Sequence, residues 1–199
     1  MKTILFIHGF RSHGNSFKAR LLKESMPDYD VYSPTIDFLH LTPDAVMLEL
    51  QKIIESMPSK PTVVVGSSLG GYYALCCCFY YGIPVFLINP CVEPVKFIEQ
   101  LIQQARADGD KSAEQHAIQQ RDAYRDFNAS FFMQHHADDS LLNFALSLDD
   151  EVLGDHDLLE TMFPRYNMKI MMNRSGHHFT RFDEIIDMFR SVVEFYEKK

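Results

Sequence analysis

Apolar positions along the chain fall into two alternating rhythms. Short runs rich in aliphatic residues occur at Thr3–His8, Asp30–Ser33, Thr62–Gly66, Val85–Ile88, Leu141–Ser147 and Asn167–Met172. Several are apolar throughout, which suits strands buried on both faces better than a sheet with one wet side. Between them lie segments of helical period: Ser16–Glu24, Pro43–Ser56, Leu69–Tyr81, Pro94–Ala107, His156–Met162 and Asp183–Glu197. Pro43 and Pro94 stand where a first helical turn tolerates proline, because the missing N–H would have no partner there. In the last segment Ile186, Phe189, Val193 and Tyr196 form one stripe, so this helix is expected to lie over the sheet. Alternation of strand and helix predicts right-handed crossovers and an α/β fold around a mainly parallel sheet.

One stretch breaks the rhythm. Asp108–His136 is polar and helix-prone, ends in Phe131-Phe132-Met133 and has no strand of its own. It reads as a short helical excursion, or lid, with an apolar face, inside a single domain spanning residues 1–199. No internal repeat or low-complexity tract interrupts the pattern.

Composition narrows the class. A chain of 199 residues that is 46% hydrophobic and 23% charged is an ordinary globular domain with enough core to fold without staples. The net charge of −8 and the lack of a basic run give no electrostatic footprint for nucleic acid or an anionic membrane. Cys76, Cys77 and Cys78 are consecutive and Cys91 stands alone; with no Cys-x-x-Cys pair, neither a zinc site nor a redox motif is indicated. Such cysteine usage points to a reducing, cytoplasmic compartment. The apolar run at Thr3–Ile7 is too short for a signal-peptide core or a membrane span.

The strongest chemical signal is Val63-Val64-Val65-Gly66-Ser67-Ser68-Leu69-Gly70-Gly71. It contains G-x-S-x-G centred on Ser68, with an apolar strand before it and a helix-forming run after it. A chain that turns this sharply needs glycines flanking the serine, and the turn presents the hydroxyl at the sheet edge with helix N–H groups behind it. A phosphate loop would need Gly-Lys-Ser/Thr at this point, and none follows. His8-Gly9-Phe10 ends the first strand, where a loop N–H can point at a developing oxyanion. The expected donors are the N–H groups of Phe10 and Leu69. Alone, His8 and Gly9 would read as a buried histidine and a turn glycine.

An acid and a base are expected after the serine, in that order. Asp149-Asp150-Glu151 follow the fifth strand directly, at the sheet edge where a triad acid belongs. Asp150 is the first choice, with Asp149 and Glu151 as competitors. Gly176-His177-His178 follow the sixth strand; His177 is preferred as base and His178 is the alternative. The remaining histidines, including His135-His136, read as surface or lid residues, and no cluster has metal-ligand spacing.

These stretches together resemble the small bacterial YqiA-type esterases of the α/β-hydrolase superfamily. The resemblance rests on His8-Gly9-Phe10 with Ser12 and Ser16-Phe17-Lys18-Ala19, and on Gly66 through Ala74. It also rests on Ile88-Asn89-Pro90 with Val92 and Pro94, on Asp150-Glu151-Val152-Leu153, and on His177 through Asp183. Aligning Phe179, Thr180 and Phe182 without a gap favours His177 over His178. The resemblance implies a compact α/β-hydrolase fold lacking the superfamily's first two strands, with six strands ordered 2-1-3-4-5-6 and helices on both faces. It implies hydrolysis of carboxylic esters or acyl-thioesters, small-molecule substrates, without a cofactor.

The expected chemistry is a serine hydrolase with Ser68 as nucleophile, His177 as base and Asp150 as orienting acid. Phe10, Tyr72 and Phe131, with Phe132 and Met133, are candidates to line an acyl pocket, although such residues commonly serve the core. Arg11 and Lys18 follow the oxyanion loop and are candidates to meet an anionic leaving group. A competing expectation is a non-catalytic member of the fold that senses a ligand or binds a protein; retention of serine, acid and histidine in order weighs against it.

Overall fold

Strands form where the apolar runs place them. The structure, a computed structural model, describes residues 2–135, 138–154 and 156–198. Its strands are β1 (Thr3–Ile7), β2 (Asp30–Tyr32), β3 (Val63–Ser67), β4 (Val85–Ile88), β5 (Leu142–Ser147) and β6 (Met168–Met172). They make one six-stranded parallel sheet in the order β2-β1-β3-β4-β5-β6, the order the resemblance implied.

The helices between them are α1 (Phe17–Ser25), α2 (Pro43–Ser56), α3 (Leu69–Tyr81), α4 (Pro94–Ala107), α5 (Lys111–Gln134), α6 (Asp157–Met162) and α7 (Ile186–Glu197). Alternate residues of the central strands feed two cores, as the period of a strand requires. Leu5, Ile7, Val64 and Leu87 face α2 to α5, while Ile4, Phe6, Val65 and Phe86 face α1 and α7. The predicted last helix opens with a 3₁₀ turn at Phe182–Ile185 before α7 begins. Among the described residues no helix is long and apolar enough to cross a membrane.

The stretch expected to be a short helical excursion with an apolar face is dominated by a single helix of 24 residues, α5. It forms an antiparallel hairpin with α4. The Asp110 N–H bonds the Ala105 carbonyl at 2.9 Å and the Gly109 N–H bonds Arg106 at 3.2 Å, the paired bonds that close a helix. Asp110 then caps α5, its Oδ1 accepting from the Ala113 N–H at 2.9 Å. Ala117, Tyr124, Phe127 and Phe131 fall on one face and join the core beside α3. His136, the last residue of the predicted stretch, lies outside the described residues.

Helix α3 is buried from Leu69 to Cys78, so it shows no apolar stripe. It carries the three consecutive cysteines, which with Cys91 are buried and unbridged. Burial pushes the Cys77, Cys78 and Cys91 thiols up to about 12. Only a thiolate attacks a thiol reagent. The native protein at neutral pH is therefore expected to give no prompt colour with an aromatic disulfide, and all four thiols once denatured. A prompt native titre of one or more would show that α3 or the segment around Cys91 opens.

Candidate active site

Parallel register brings the carboxyl ends of the central strands level: Ile7 pairs with Gly66, Ser67 with Ile88, and Ser147 with Met172. The loops leaving β1, β3, β5 and β6 therefore gather at one edge, where an open α/β sheet places its ligands.

Ser68 sits at the turn from β3 into α3 with φ 54° and ψ −122°, a conformation rare for a residue with a side chain. Neighbouring backbone fixes it there. Its N–H bonds the Ile88 carbonyl at 3.0 Å, and its own carbonyl accepts from Gly71 at 2.8 Å and Cys91 at 3.0 Å. The turn is so tight that a Cβ at Gly70 would stand 2.2 Å from the Ile7 carbonyl oxygen, and one at Gly66 would stand 2.4 Å from that of Gly70. Only glycine fits either position.

The Ser68 hydroxyl meets His177 Nε2 at 2.9 Å. On the other side of the ring, Nδ1 lies 3.0 Å from both Asp150 oxygens. Asp150 and His177 are buried. Burial alone would raise the Asp150 pKa; contacts from His156 and His177 and the Leu153 N–H overcome it and hold the carboxylate ionised well below the usual range. The Val152 and Leu153 N–H groups bond Oδ1 at 3.0 and 2.8 Å, which fixes the carboxylate plane.

The acidic turn divides its work. Asp150 faces the His177 imidazole, whereas Asp149 and Glu151 hold the backbone of the loop that carries it. Asp149 Oδ1 accepts from Ser175 and Gly176 N–H at 3.1 and 3.3 Å, and Glu151 accepts from the His177 N–H at 2.9 Å. The Ser147 hydroxyl bond lowers the Asp149 pKa most, and backbone N–H bonds lower that of Glu151. His178 is exposed, with its ring 6.0 Å from that of His177. The structure thus joins Ser68 with His177, not with His178.

Two further residues have roles that sequence reasoning did not assign. Asn89 is fully buried; its Nδ2 donates to the Gly176 and His177 carbonyls at 3.0 Å, and its Oδ1 accepts from the Ser147 N–H at 2.7 Å. One amide therefore ties the ends of β4 and β5 to the His177 loop. His156 places Nε2 3.3 Å from Asp150 Oδ2, on a side chain that is almost fully buried. Asn89 had a signal in the Ile88-Asn89-Pro90 match; His156 had none.

The loop after β1 lies against the serine, since a Cβ at Gly9 would stand 3.1 Å from Ser68 Cβ. His8 holds this loop in one tautomer. The Ile36 N–H donates to Nε2 at 2.9 Å, so the proton is on Nδ1, which donates to the Gly9 carbonyl at 2.8 Å. The Ser12 N–H bonds the same carbonyl at 3.2 Å. In a trans peptide this leaves the Phe10 N–H on the opposite side. Leu69 opens α3, where a helix leaves its N–H groups without intrahelical partners.

Burial lowers the His8 pKa below its ordinary value. The unfolded chain then takes up the proton first, so stability falls as pH drops below about 6.5. Substituting His8→Gln keeps an acceptor for Ile36 and removes the titration. The wild-type melting temperature is expected to fall between pH 7 and 5, and the variant's to fall less; parallel curves would assign the slope to other groups.

A cavity of about 660 Å³ opens beside Phe10 and Leu69, with apolar walls at Phe38, Phe97 and Leu101 and polar ones at Arg11, Asp108 and His116. Phe10 lies on its wall, edge-on to Phe97 at 5.7 Å. Tyr72 and Phe131, expected with it, are in the core instead. Tyr72 is 1% exposed, packed among Tyr73, Tyr124 and Phe127, and its hydroxyl donates to Asn128. Phe131 stacks between Phe127 and His135. Both belong to helical stripes that pack inward, and the walls come from α4, from α5 and from the 38–40 segment. Among the described residues, no group of three or more His, Cys, Asp or Glu side chains is placed to hold a metal.

Comparison with known proteins agrees with this architecture. A family model, Uncharacterised protein family (UPF0227), matches residues 3–196. A UPF0227 protein of Shewanella sediminis is 36% identical over 98 residues, covering 46% of this chain and 52% of that protein. The chain aligns with about half the length of the curated relatives it matches. A Xanthomonas campestris pv. campestris protein of the α/β hydrolase superfamily superposes with a TM-score of 0.61 at 17% identity, covering 100% of both chains. A carboxylesterase of the thaumarchaeon Nitrososphaera gargenis gives 0.66 at 13% identity, covering 99% of this chain and 91% of its own. At such identities the likeness establishes the α/β-hydrolase fold and leaves the chemistry to the site.

Proposed function

This chain belongs to the UPF0227 family, and from that premise we propose that it is a serine hydrolase of carboxylic esters or acyl-thioesters. The observation that carries the reading is one imidazole bridging Ser68 Oγ at 2.9 Å and the buried Asp150 carboxylate at 3.0 Å. A sensor or scaffold needs no such relay, and a cavity with apolar and polar walls opens beside it.

The geometry performs acyl transfer as follows. Ser68 Oγ bonds to the acyl carbon while its proton passes to His177 Nε2. Asp150 keeps the other imidazole proton on Nδ1, so that Nε2 is free to accept, and stabilises the imidazolium. The N–H groups of Phe10 and Leu69 hold the oxyanion; loss of one such donor typically costs about 10²–10³ in rate. The bond to the leaving oxygen or sulfur then breaks as His177 returns the proton to it. Water repeats the sequence on the acyl-enzyme, releasing the acid and restoring Ser68.

A fluorophosphonate tests the reading without knowledge of the substrate. Intact mass is expected to show one adduct on the wild type and none on Ser68→Ala or His177→Ala. A wild type that takes no adduct would move the assignment to ligand binding on the same fold.

A further inference from the structure

The loop after β1 has a second cavity on its other side. It holds about 480 Å³ and is lined by Gly9, Ser12, Lys18, Ser67, His178 and Thr180, together with His8 and Ser16. In a chain of net charge −8, its lining holds no carboxylate among the described residues. What it holds is a lysine, the His178 imidazole, several hydroxyls, the rings of Phe6 and Phe17, and His8, whose two ring nitrogens are already bonded.

Lys18 is the telling member. Its ammonium donates to the His178 carbonyl, which anchors it beside the His177 loop. Desolvation, with no acidic neighbour to offset it, lowers its pKa to about 8. Ser16 stands at the N-cap position of α1, yet its Oγ is buried without a hydrogen-bond partner among the described residues. A half-buried cation lacking a counter-charge and an orphaned hydroxyl both carry a cost, and both are relieved by the same thing, an oxyanion. The positive end of α1 adds to the same field. A purely structural lysine would explain the bond to His178. It would not explain the space beside it or the absence of acid from the walls.

The position fits one part of the reaction. Gly9 and Ser67 are shared between this cavity and the serine turn, and a Cβ at Gly9 would stand 3.8 Å from Ser68 Oγ. His178 directly follows the histidine that returns a proton to the departing group. The larger cavity lies across the loop, next to Phe10 and Leu69. Acyl and leaving groups therefore have separate room.

We propose that this second cavity is a leaving-group subsite for an anion: it receives a phosphate or carboxylate carried on the alcohol or thiol that Ser68 releases. This rests on the serine-hydrolase reading above. Two measurements test it. Butanoyl esters of 3-hydroxybenzoate and of methyl 3-hydroxybenzoate present the same phenol with and without a negative charge. The wild type is expected to favour the charged ester in kcat/KM by about tenfold or more, with Lys18→Gln bringing the ratio close to one. Ser16→Ala, which removes only the orphaned hydroxyl, should lower it in the same direction. Reading a ratio cancels any general loss of active protein. A wild-type ratio near one, or a ratio unmoved by Lys18→Gln, overturns the proposal.

The second measurement needs no turnover. Inorganic phosphate titrated into the Ser68→Ala protein should shift the His178 imidazole NMR signals saturably, and should not do so with Lys18→Gln added. Absence of a saturable shift overturns the anion site. Saturable binding without an ester preference would make it a site for a free anion and overturn its assignment to the leaving group. Neither result alters fluorophosphonate labelling, so failure of the subsite and failure of the triad remain distinguishable.

Discussion

Ser68→Ala is expected to lower ester turnover by a factor on the order of 10⁴–10⁶ while leaving the protein folded. The loss is this large because the hydroxyl is the atom that forms the acyl bond; what remains is the help of the oxyanion donors and of binding. Stability should move in a separate and less obvious way. Ser68 is held at φ 54° and ψ −122°, where a Cβ is strained by about 1–3 kcal/mol and glycine is not. Alanine keeps the Cβ and the strain, so its unfolding free energy should match the wild type's. Ser68→Gly should be equally inactive and more stable than Ser68→Ala by about 1 kcal/mol. Ester kinetics and denaturant titrations of the three proteins check both parts. Turnover by Ser68→Ala within tenfold of wild type would remove Ser68 from the mechanism. A destabilised Ser68→Gly would show that the turn stores no strain.

Much of this was legible in the chain because it is local. The elbow is nine consecutive residues whose glycines, strand and helix all serve one turn, and the structure builds that turn at Ser68. The buried strands announced themselves as unbroken apolar runs, since a sheet covered on both faces needs no polar alternate positions. What escaped depends on partners far along the chain. The helical character and apolar face of α5 were legible, but not its length or its place in the core, because only four widely spaced residues, Ala117, Tyr124, Phe127 and Phe131, are buried. Tyr72 is a candidate pocket residue in sequence, yet its place four residues after the serine turns it toward Tyr124 and Asn128 of α5. Asn89 acts on residues 58 and 88 positions away, which no window of sequence displays. The choice among Asp149, Asp150 and Glu151 was likewise open in sequence: three adjacent carboxylates differ only in which part of the His177 loop each one reaches.

That division of labour sets the second large effect. Asp150→Asn is expected to cost about 10⁴ in turnover, for a reason the hydrogen bonds dictate. Oδ1 accepts from the Val152 and Leu153 N–H groups, so in the variant the amide oxygen must stay at that position. The amide nitrogen then replaces Oδ2, which in the wild type lies 3.0 Å from His177 Nδ1 and 3.3 Å from His156 Nε2. A nitrogen there donates, so Nδ1 faces one donor and one neutral acceptor in place of two carboxylate oxygens. The His177 proton is no longer confined to Nδ1, the imidazolium loses its counter-charge, and the tautomer protonated on Nε2 cannot deprotonate Ser68. Fluorophosphonate labelling should slow in parallel with ester turnover, whereas the fold should persist because the turn keeps its backbone bonds. Acid stability supplies an independent reading. Asp150 is held ionised below the ordinary carboxylate range, so its contribution is present above about pH 4 and is lost as pH falls through the lowered value. The Asn variant should lack that part of the acid-unfolding slope. Asp149→Asn and Glu151→Gln, which touch the loop backbone and, for Asp149, the Ser147 hydroxyl, should lose far less activity than Asp150→Asn. Equal losses in all three would mean that the acidic turn works by positioning His177 and not by choosing its tautomer.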